Sequence, residues 1–140
     1  MAAAPAKRAS ARTKARKRAL DILFEADLRQ TDPLPVLAAH VELDEPPVRP
    51  FTVELVEGVT AHLSGIDQAI AESLAAGWTL ERMPRVDRNL ARIAAYEIAH
   101  TEVSREVAVA ESVSLAQELS TDDSATFLNG VLRAVVARQG

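Results

Sequence analysis

Histidine and serine are side chains of this sequence that could act in catalysis or bind a metal, but their spacing favours neither role. His40, His62 and His100 lie far apart, and none has a second histidine four residues away, as a helical metal pair requires. Ser64 precedes Gly65 without the GxSxG pattern of a nucleophile elbow. No glycine-rich loop is present that could hold a phosphate. The sequence therefore predicts a protein that is not an enzyme, with no cofactor and no bound metal.

Basic residues at the N-terminus indicate a contact with a polyanion. Residues 1–18 contain seven cations and no acid, whereas residues 19–140 hold 9 basic and 20 acidic side chains, a net charge of −11. Phe24 lies seven residues after Lys17, about 20° away around a helix. Cations for phosphates and a ring for an unstacked base suit single-stranded nucleic acid. The predicted RNA-binding cations are Lys7, Arg8, Arg12, Lys14, Arg16, Lys17 and Arg18. A solubilising tail and a core position for Phe24 are the alternatives.

A second basic cluster is predicted on the polar face of a later helix. It contains Arg85, Arg88 and Arg92, with Asn89 and Tyr96 beside them. Apart from the N-terminal segment, this is the one place where basic residues have an aromatic neighbour. The cluster is therefore a candidate for nucleic-acid contact, and a solvated helix face is the alternative.

Glu97 and Gly130 are unusual for their predicted positions. Glu97 points along the middle of an apolar stripe, and a buried lone carboxylate costs several kcal/mol. It should have a partner, namely a cation, a helix N-terminus or a proton, and a tie between helices is favoured over catalysis. Gly130 costs about 1 kcal/mol in a helix interior, which close approach of another helix would justify.

Helical spacing of apolar residues predicts an all-α fold of about seven helices, with no period-two alternation typical of strands. Residues 1–12 are predicted to be a flexible basic arm preceding a single helical domain over residues 13–140. Gly65 should separate the third and fourth helices and Gly77 should cap the fourth. The predicted helices are Thr13–Gln30, Val36–Glu42, Phe51 to Gly65, Ile66–Ala76, Val86–His100, Arg105–Leu119 and Ser124–Arg138, with a short turn after Thr79.

Composition fits one soluble domain. The chain has 140 residues, of which 48% are hydrophobic and 26% are charged, so a disordered or collagen-like chain is not expected. No stretch without Asp, Glu, Lys or Arg exceeds nine residues, which is too short for a membrane-spanning helix. The first residues lack the apolar core of a secretory signal, and there is no cysteine. A cytoplasmic location is therefore predicted.

Five segments, each weak alone, make a specific set in their order and spacing. They are residues 16–25 (RKRALDILFE), 51–58 (FTVELVEG), 86–97 (VDRNLARIAAYE), 109–116 (VAESVSLA) and 123–132 (DSATFLNGVL). With this set, the chain resembles the bacterial transcription antitermination factors of the NusB family over nearly its full length. The resemblance implies two small helical bundles packed crosswise and an arginine-rich N-terminus that binds RNA.

The same resemblance implies partners. Family members bind the boxA element of ribosomal RNA transcripts together with ribosomal protein S10, and the pair joins an RNA polymerase antitermination complex. Some members self-associate, so a homodimer is a further expectation. The resemblance implies phosphate contacts by Arg12, Lys14 and Arg16. It also places Phe24, Asp123 and Phe127 on the RNA surface, and Asp87 and Arg92 at or near the surface for RNA and S10.

Two departures and two alternative functions remain at this point. The family usually has Leu at the position of Ala91 and Asn-Glu-Ala at residues 110–112, so local packing is more affected than RNA binding. One alternative is a stand-alone RNA-binding module related to that of ribosomal RNA cytosine methyltransferases. The other is a purely protein-binding helical adaptor whose basic segment is only a tail.

Overall fold

Seven α-helices account for most of residues 10–139, the part of the chain that the computed structural model describes. One short 3-10 turn, Leu80–Arg82, lies between the fourth helix and the fifth. Residues 10–139 contain no strand. The predicted all-α class is confirmed. The helices are α1 (Ala11–Arg29), α2 (Pro33–Leu43), α3 (Pro50–Ala61), α4 (Leu63–Glu72), α5 (Arg85–His100), α6 (Arg105–Leu119) and α7 (Asp122–Gln139).

Helix α5 is the central element, because it packs against helices of both bundles. In the first bundle, α1 packs against α2 and α3, and α2 packs against α3. In the second bundle, α6 and α7 lie against each other and against α5, and α4 packs on α5 and α7. Leu90, Ala91 and Ala94 of α5 are almost completely buried between them. A side chain on α5 can therefore connect the two bundles.

Capping side chains explain where α1 and α2 begin. The Ser10 hydroxyl accepts a hydrogen bond from the Thr13 amide, so α1 begins at Ala11, two residues before the predicted start. Arg12 therefore lies in the helix and not in the predicted arm. Asp32 caps α2 at Leu34 and extends it N-terminally to Pro33. The bounds of α6 agree with the prediction.

The boundary between α3 and α4 differs from the prediction. The helical conformation is interrupted at His62, between α3 and α4, and Gly65 lies inside α4. Helix α4 ends at Glu72, where the Ser73 hydroxyl donates to the carbonyl of Ala69. Gly77 is therefore not the cap of this helix. It stands in the following turn with φ of +88°, a conformation that glycine adopts without a steric penalty.

The close approach expected at Gly130 is found at Gly58 instead. A Cβ at Gly130 would meet no atom from another part of the described chain within 4 Å, so that expectation is wrong. A Cβ at Gly58 would fall on the ring of Tyr96. The contact between α3 and α5 thus depends on a glycine that sequence spacing did not single out.

Candidate nucleic-acid interface

A buried ion pair fixes the second turn of α1 to the body of the protein. Arg16 of α1 is 3% exposed and Glu97 of α5 is 1% exposed. Arg16 Nη2 lies 2.7 Å from Glu97 Oε1, and Arg16 Nε lies 3.0 Å from Oε2. This pairing confirms that Glu97 has a partner and identifies it as a cation. Burial raises the pKa of Glu97, and the hydrogen bonds and charge of Arg16 oppose that shift.

A second carboxylate extends this buried pair toward the surface. Glu111 Oε1 of α6 lies 3.4 Å from Arg16 Nη1, and the Thr13 hydroxyl lies 3.0 Å from both Glu111 carboxylate oxygens. Three helices therefore meet around the guanidinium of Arg16. Its burial and its two carboxylates contradict the predicted phosphate contact by Arg16. This arginine instead positions the helix that carries the other cations.

Arg12 and Lys14 are the exposed cations of this helix start. Neither has a carboxylate within 4 Å among the described residues. Lys17 is paired with Glu118 at the surface, and Arg18 donates hydrogen bonds to His40 Nδ1 and to a loop carbonyl. Lys7 and Arg8 lie outside the described residues. Arg12 and Lys14 can therefore donate hydrogen bonds to phosphate oxygens without breaking an ion pair.

Shallow grooves lie beside both of these cations, and an aromatic ring contacts Arg12. The guanidinium carbon of Arg12 lies 4.4 Å from the centre of the Phe51 ring, and that of Arg16 lies 5.3 Å from it. Arg12 lines two grooves of about 390 Å³ and 310 Å³. Lys14 and Arg49 line another of about 260 Å³. Phe51 was missed as a site residue because 35 positions separate it from Arg16, and no local pattern signals that contact.

The second basic cluster is largely neutralised by acids. Arg88 Nη2 lies 2.8 Å from Asp27 Oδ2, and Arg92 Nε lies 2.8 Å from Asp67 Oδ1. Asn89 also donates to Asp27 at 2.9 Å. Arg88 and Arg92 thus lie on α5 as predicted, but both form ion pairs with carboxylates. The prediction that they form a surface of available cations is therefore not supported by their geometry.

The two remaining members of that cluster, Arg85 and Tyr96, belong to different surroundings. Arg85 is exposed and lines a cleft of about 510 Å³ together with Arg88 and Arg92. Tyr96 is buried one helical turn beyond Arg92, where it stacks with His62 and His100. The expected aromatic neighbour of the arginines is therefore part of a different contact.

The two basic clusters lie toward opposite ends of α1. Arg16 and Asp27 are separated by 11 residues, or about 16 Å along a helix axis. Burial raises the pKa of Asp27, but hydrogen bonds from Arg88 and Asn89 and the charges of Arg88 and Arg92 outweigh it, so the pKa is lowered. Asp27 is therefore ionised in the second cluster, where its carboxylate pairs with Arg88 and Arg92.

The other predicted site residues occupy three different environments. Phe24 is half-buried on α1, and Asp123 is exposed in the first turn of α7. Phe127 is half-buried, with its ring centre 5.3 Å from that of Trp78. Asp87 is 1% exposed, and its Oδ1 has no hydrogen-bond partner among the described residues. Asp87 is therefore not placed at the surface that the resemblance implied.

The fold and this end of α1 define a class of protein. It is a small all-helical protein in which a buried ion pair holds a helix whose exposed cations suit a polyanion. Within residues 10–139, no group of three or more histidine or acidic side chains could hold a metal ion. Over the same residues, no helix is long and apolar enough to span a membrane.

The chain belongs to the NusB family, whose model matches residues 13–137. The transcription antitermination protein NusB of Acidothermus cellulolyticus is 60% identical over 130 residues, which cover 92% of this chain and 89% of that protein. The NusB protein of Cutibacterium acnes is 57% identical over 127 residues, or 91% of this chain. This chain spans 49% of that protein's length. These names describe transcription factors and not enzymes, which agrees with the prediction from the sequence.

Solved structures share the same fold. The structure of NusB from T. maritima matches with a TM-score of 0.80 and 28% identity, covering 93% of each chain. The crystal structure of the antitermination factors NusB and NusE with double-stranded RNA contains a chain that matches with a TM-score of 0.80. That chain is 24% identical, and the match covers 91% of this chain and 96% of that one. The predicted fold of the NusB family is confirmed.

Proposed function

We propose that this protein is an RNA-binding antitermination factor. Together with ribosomal protein S10, it binds the boxA element of ribosomal RNA transcripts and joins an RNA polymerase antitermination complex in the cytoplasm. The observation that carries the proposal is the pair of exposed cations, Arg12 and Lys14, at the start of α1 in a member of an antitermination family. In the solved assembly of NusB with NusE (ribosomal protein S10) and RNA, the NusB chain has this fold.

The electrostatic part of RNA binding belongs to the start of α1 and the residues before it. Lys7, Arg8, Arg12 and Lys14 supply the phosphate contacts, and Lys17 and Arg18 lie on the following turn. Arg16 contributes indirectly, because its pairing with Glu97 keeps the first turns of α1 on the body. The rest of the chain carries a net charge of −11 and repels RNA at long range. RNA should therefore approach this protein through one end of α1.

Base recognition is assigned to side chains on other elements. Phe24 and Phe127 are half-buried and present part of a ring to solvent, as stacking on a base requires. Asp123 offers an exposed carboxylate one helical turn before Phe127. Arg88 and Arg92 act by holding Asp27 and Asp67 in place on the acidic body. S10 docks on this acidic body. Self-association of the protein competes with RNA, because it covers the surface that binds RNA.

Titration of a boxA-containing RNA against a scrambled RNA of the same composition, with and without S10, tests the proposed function. The wild-type protein should prefer boxA RNA, most strongly when S10 is present. Equal binding of both RNAs in the presence of S10 would contradict boxA recognition. Binding of S10 without any RNA affinity would instead favour the protein-binding adaptor.

A charge-removal series tests which cations meet phosphates. Arg12→Gln with Lys14→Gln should weaken RNA binding and reduce the slope of log K against log salt by about 1.4, since each contact to a single strand contributes about 0.7. Arg12→Gln and Lys14→Gln are also made singly. Arg133→Gln removes one positive charge from an exposed position on α7 and is the matched control for each of these single variants. An unchanged slope in the double variant would place the phosphate contacts elsewhere.

A further inference from the structure

Trp78, Arg82 and Phe127 form a surface cluster that the function described above does not use fully. The centres of the Trp78 and Phe127 rings are 5.3 Å apart, with 46° between the ring planes. The guanidinium carbon of Arg82 lies 5.0 Å from the centre of the Trp78 ring. Trp78 is nevertheless 42% exposed. An aromatic pair with a cation against it is therefore open to solvent on the second bundle.

The charge of Arg82 is not neutralised within the described chain. Its Nη1 donates to the carbonyl of Gly77 at 2.6 Å, and none of the described carboxylates lies within 4 Å of its guanidinium. Arg16, Arg88 and Arg92, by contrast, are all paired with acids. Arg82 is thus fixed in position by a neutral group and keeps its full charge for a ligand.

The loop that carries the cluster is held in a defined shape. The amide of Trp78 donates to Ala75, and the amide of Arg82 donates to Thr79, which closes the turn between them. Met83, directly after Arg82, is 3% exposed and anchors the loop in the core. The backbone is therefore fixed at both ends. The hydrogen bond from Arg82 to Gly77 and the contact of Trp78 with Phe127 hold the two side chains, so less ordering is required when a ligand binds.

We propose that Trp78 and Arg82, together with Phe127, form a stacking site for an unpaired nucleobase. An exposed indole with a guanidinium over it offers a π-surface for a base and a cation for the adjoining phosphate, the combination that binds single-stranded nucleic acid. The proposal rests on the proposed RNA-binding function. It adds Trp78 and Arg82, which no resemblance or motif assigned, to the predicted contact by Phe127. The only local signal in the sequence is the spacing of four residues between the single Trp and an Arg.

The protein carries a built-in reporter for this site, because Trp78 is the only tryptophan in the chain. A base stacked on its indole should quench the fluorescence. The experiment follows tryptophan emission and the anisotropy of end-labelled single-stranded boxA RNA in the same titration. An abasic sugar-phosphate oligonucleotide of equal length serves as the control ligand. It should raise the anisotropy through the basic end of α1 but leave the emission unchanged.

The two signals separate failure of this inference from failure of the proposed function. RNA binding with quenching, and abasic binding without quenching, is the expected result. RNA binding without quenching overturns the stacking site and leaves the RNA-binding function standing. No RNA binding at all overturns both. Quenching by S10 in the absence of RNA, with none on addition of RNA alone, assigns the cluster to a protein partner and overturns the inference.

Variants test the contribution of each side chain to affinity. Trp78→Leu keeps an apolar contact to Phe127 but removes the indole, and it should weaken RNA binding about 5- to 100-fold. Arg82→Gln should weaken it more than the matched control Arg133→Gln, which lies on a different side of α7 from Phe127. If thermal melting shows that Trp78→Leu is unfolded, the stacking site is tested by the RNA affinity of Arg82→Gln and by the quenching of Trp78 fluorescence in the wild-type protein. Equal affinities of Arg82→Gln and Arg133→Gln would overturn the role of Arg82.

Discussion

At the scale of single residues, the pairing of Arg16 with Glu97 is the interaction with the largest consequence. Glu97→Gln leaves the buried guanidinium of Arg16 with only Glu111 nearby, 3.4 Å away. Removing one partner of a buried ion pair typically costs about 3–5 kcal/mol, so the free energy of unfolding should fall by about 3 kcal/mol. Urea denaturation measures it. Glu118→Gln, which breaks the exposed pair with Lys17, should change stability by less than about 1 kcal/mol. Equal losses in the two variants would contradict the structural role of Glu97.

Asp27 gives a pH-dependent prediction at the same scale. Its pKa in the folded protein lies below the ordinary value of 3.8, so the ionised form is favoured by folding. The resulting stabilisation is fully present above the unfolded pKa and is lost as the pH falls through the folded pKa. Asp27→Asn should therefore be less stable than the wild type at pH 6, and the difference should shrink as the pH falls below about 4. A difference that stays constant between pH 6 and pH 3 in urea titrations would contradict this assignment.

At the scale of elements, the start of α1 is part of the packed body and not only a carrier of charge. Removing residues 1–9 leaves the Ser10 cap and every described contact of α1 in place, so the melting temperature should stay close to that of the full chain. Removing residues 1–18 also deletes the buried Ala15 and Arg16 and leaves Glu97 without its cation. The longer deletion should be strongly destabilised in thermal melts. Similar melting of both truncated chains would show that α1 does not need its first turns.

Two helix glycines should respond to the same substitution with opposite signs. Gly130→Ala places a methyl group in open space on α7 and should raise stability by about 0.5–1 kcal/mol, since alanine favours the helix. Gly58→Ala drives a methyl group into the Tyr96 ring between α3 and α5, and should lower stability by about 1–3 kcal/mol. Chemical denaturation of the pair gives both values. Stabilisation by Gly58→Ala would mean that Tyr96 moves aside without cost.

At the scale of the whole molecule, the uneven charge predicts coupling between the two proposed partners. S10 docked on the acidic body would add cations near an RNA held at the start of α1. It should raise RNA affinity on the order of tenfold, equivalent to about 1.4 kcal/mol. RNA must then raise S10 affinity by the same factor. Titrations around the full thermodynamic cycle at two salt concentrations measure the coupling, and the salt dependence should be steeper in the ternary complex. Identical RNA affinities with and without S10 would mean independent binding.

The sequence determined the elements of this protein, because local spacing and capping residues govern where helices form. The all-α class, the bounds of α6 and most of α5 follow from apolar periodicity. The five family segments also indicated the fold. The break at His62 and the end of α4 at Glu72 were placed wrongly, because glycine was taken as a helix end. Gly65 lies inside α4, and this helix is held by the buried Ile66 and Ile70.

Only the tertiary structure decided which charged groups are available. Arg12 and Arg16 look alike in a basic run, yet one is exposed and the other is buried against Glu97, 81 residues away. Arg82 and Arg88 also look alike, and only Arg88 meets Asp27. Whether a cation is free depends on the carboxylates that other helices bring to it. Since those partners lie far along the chain, the spacing of the cations alone does not contain that information.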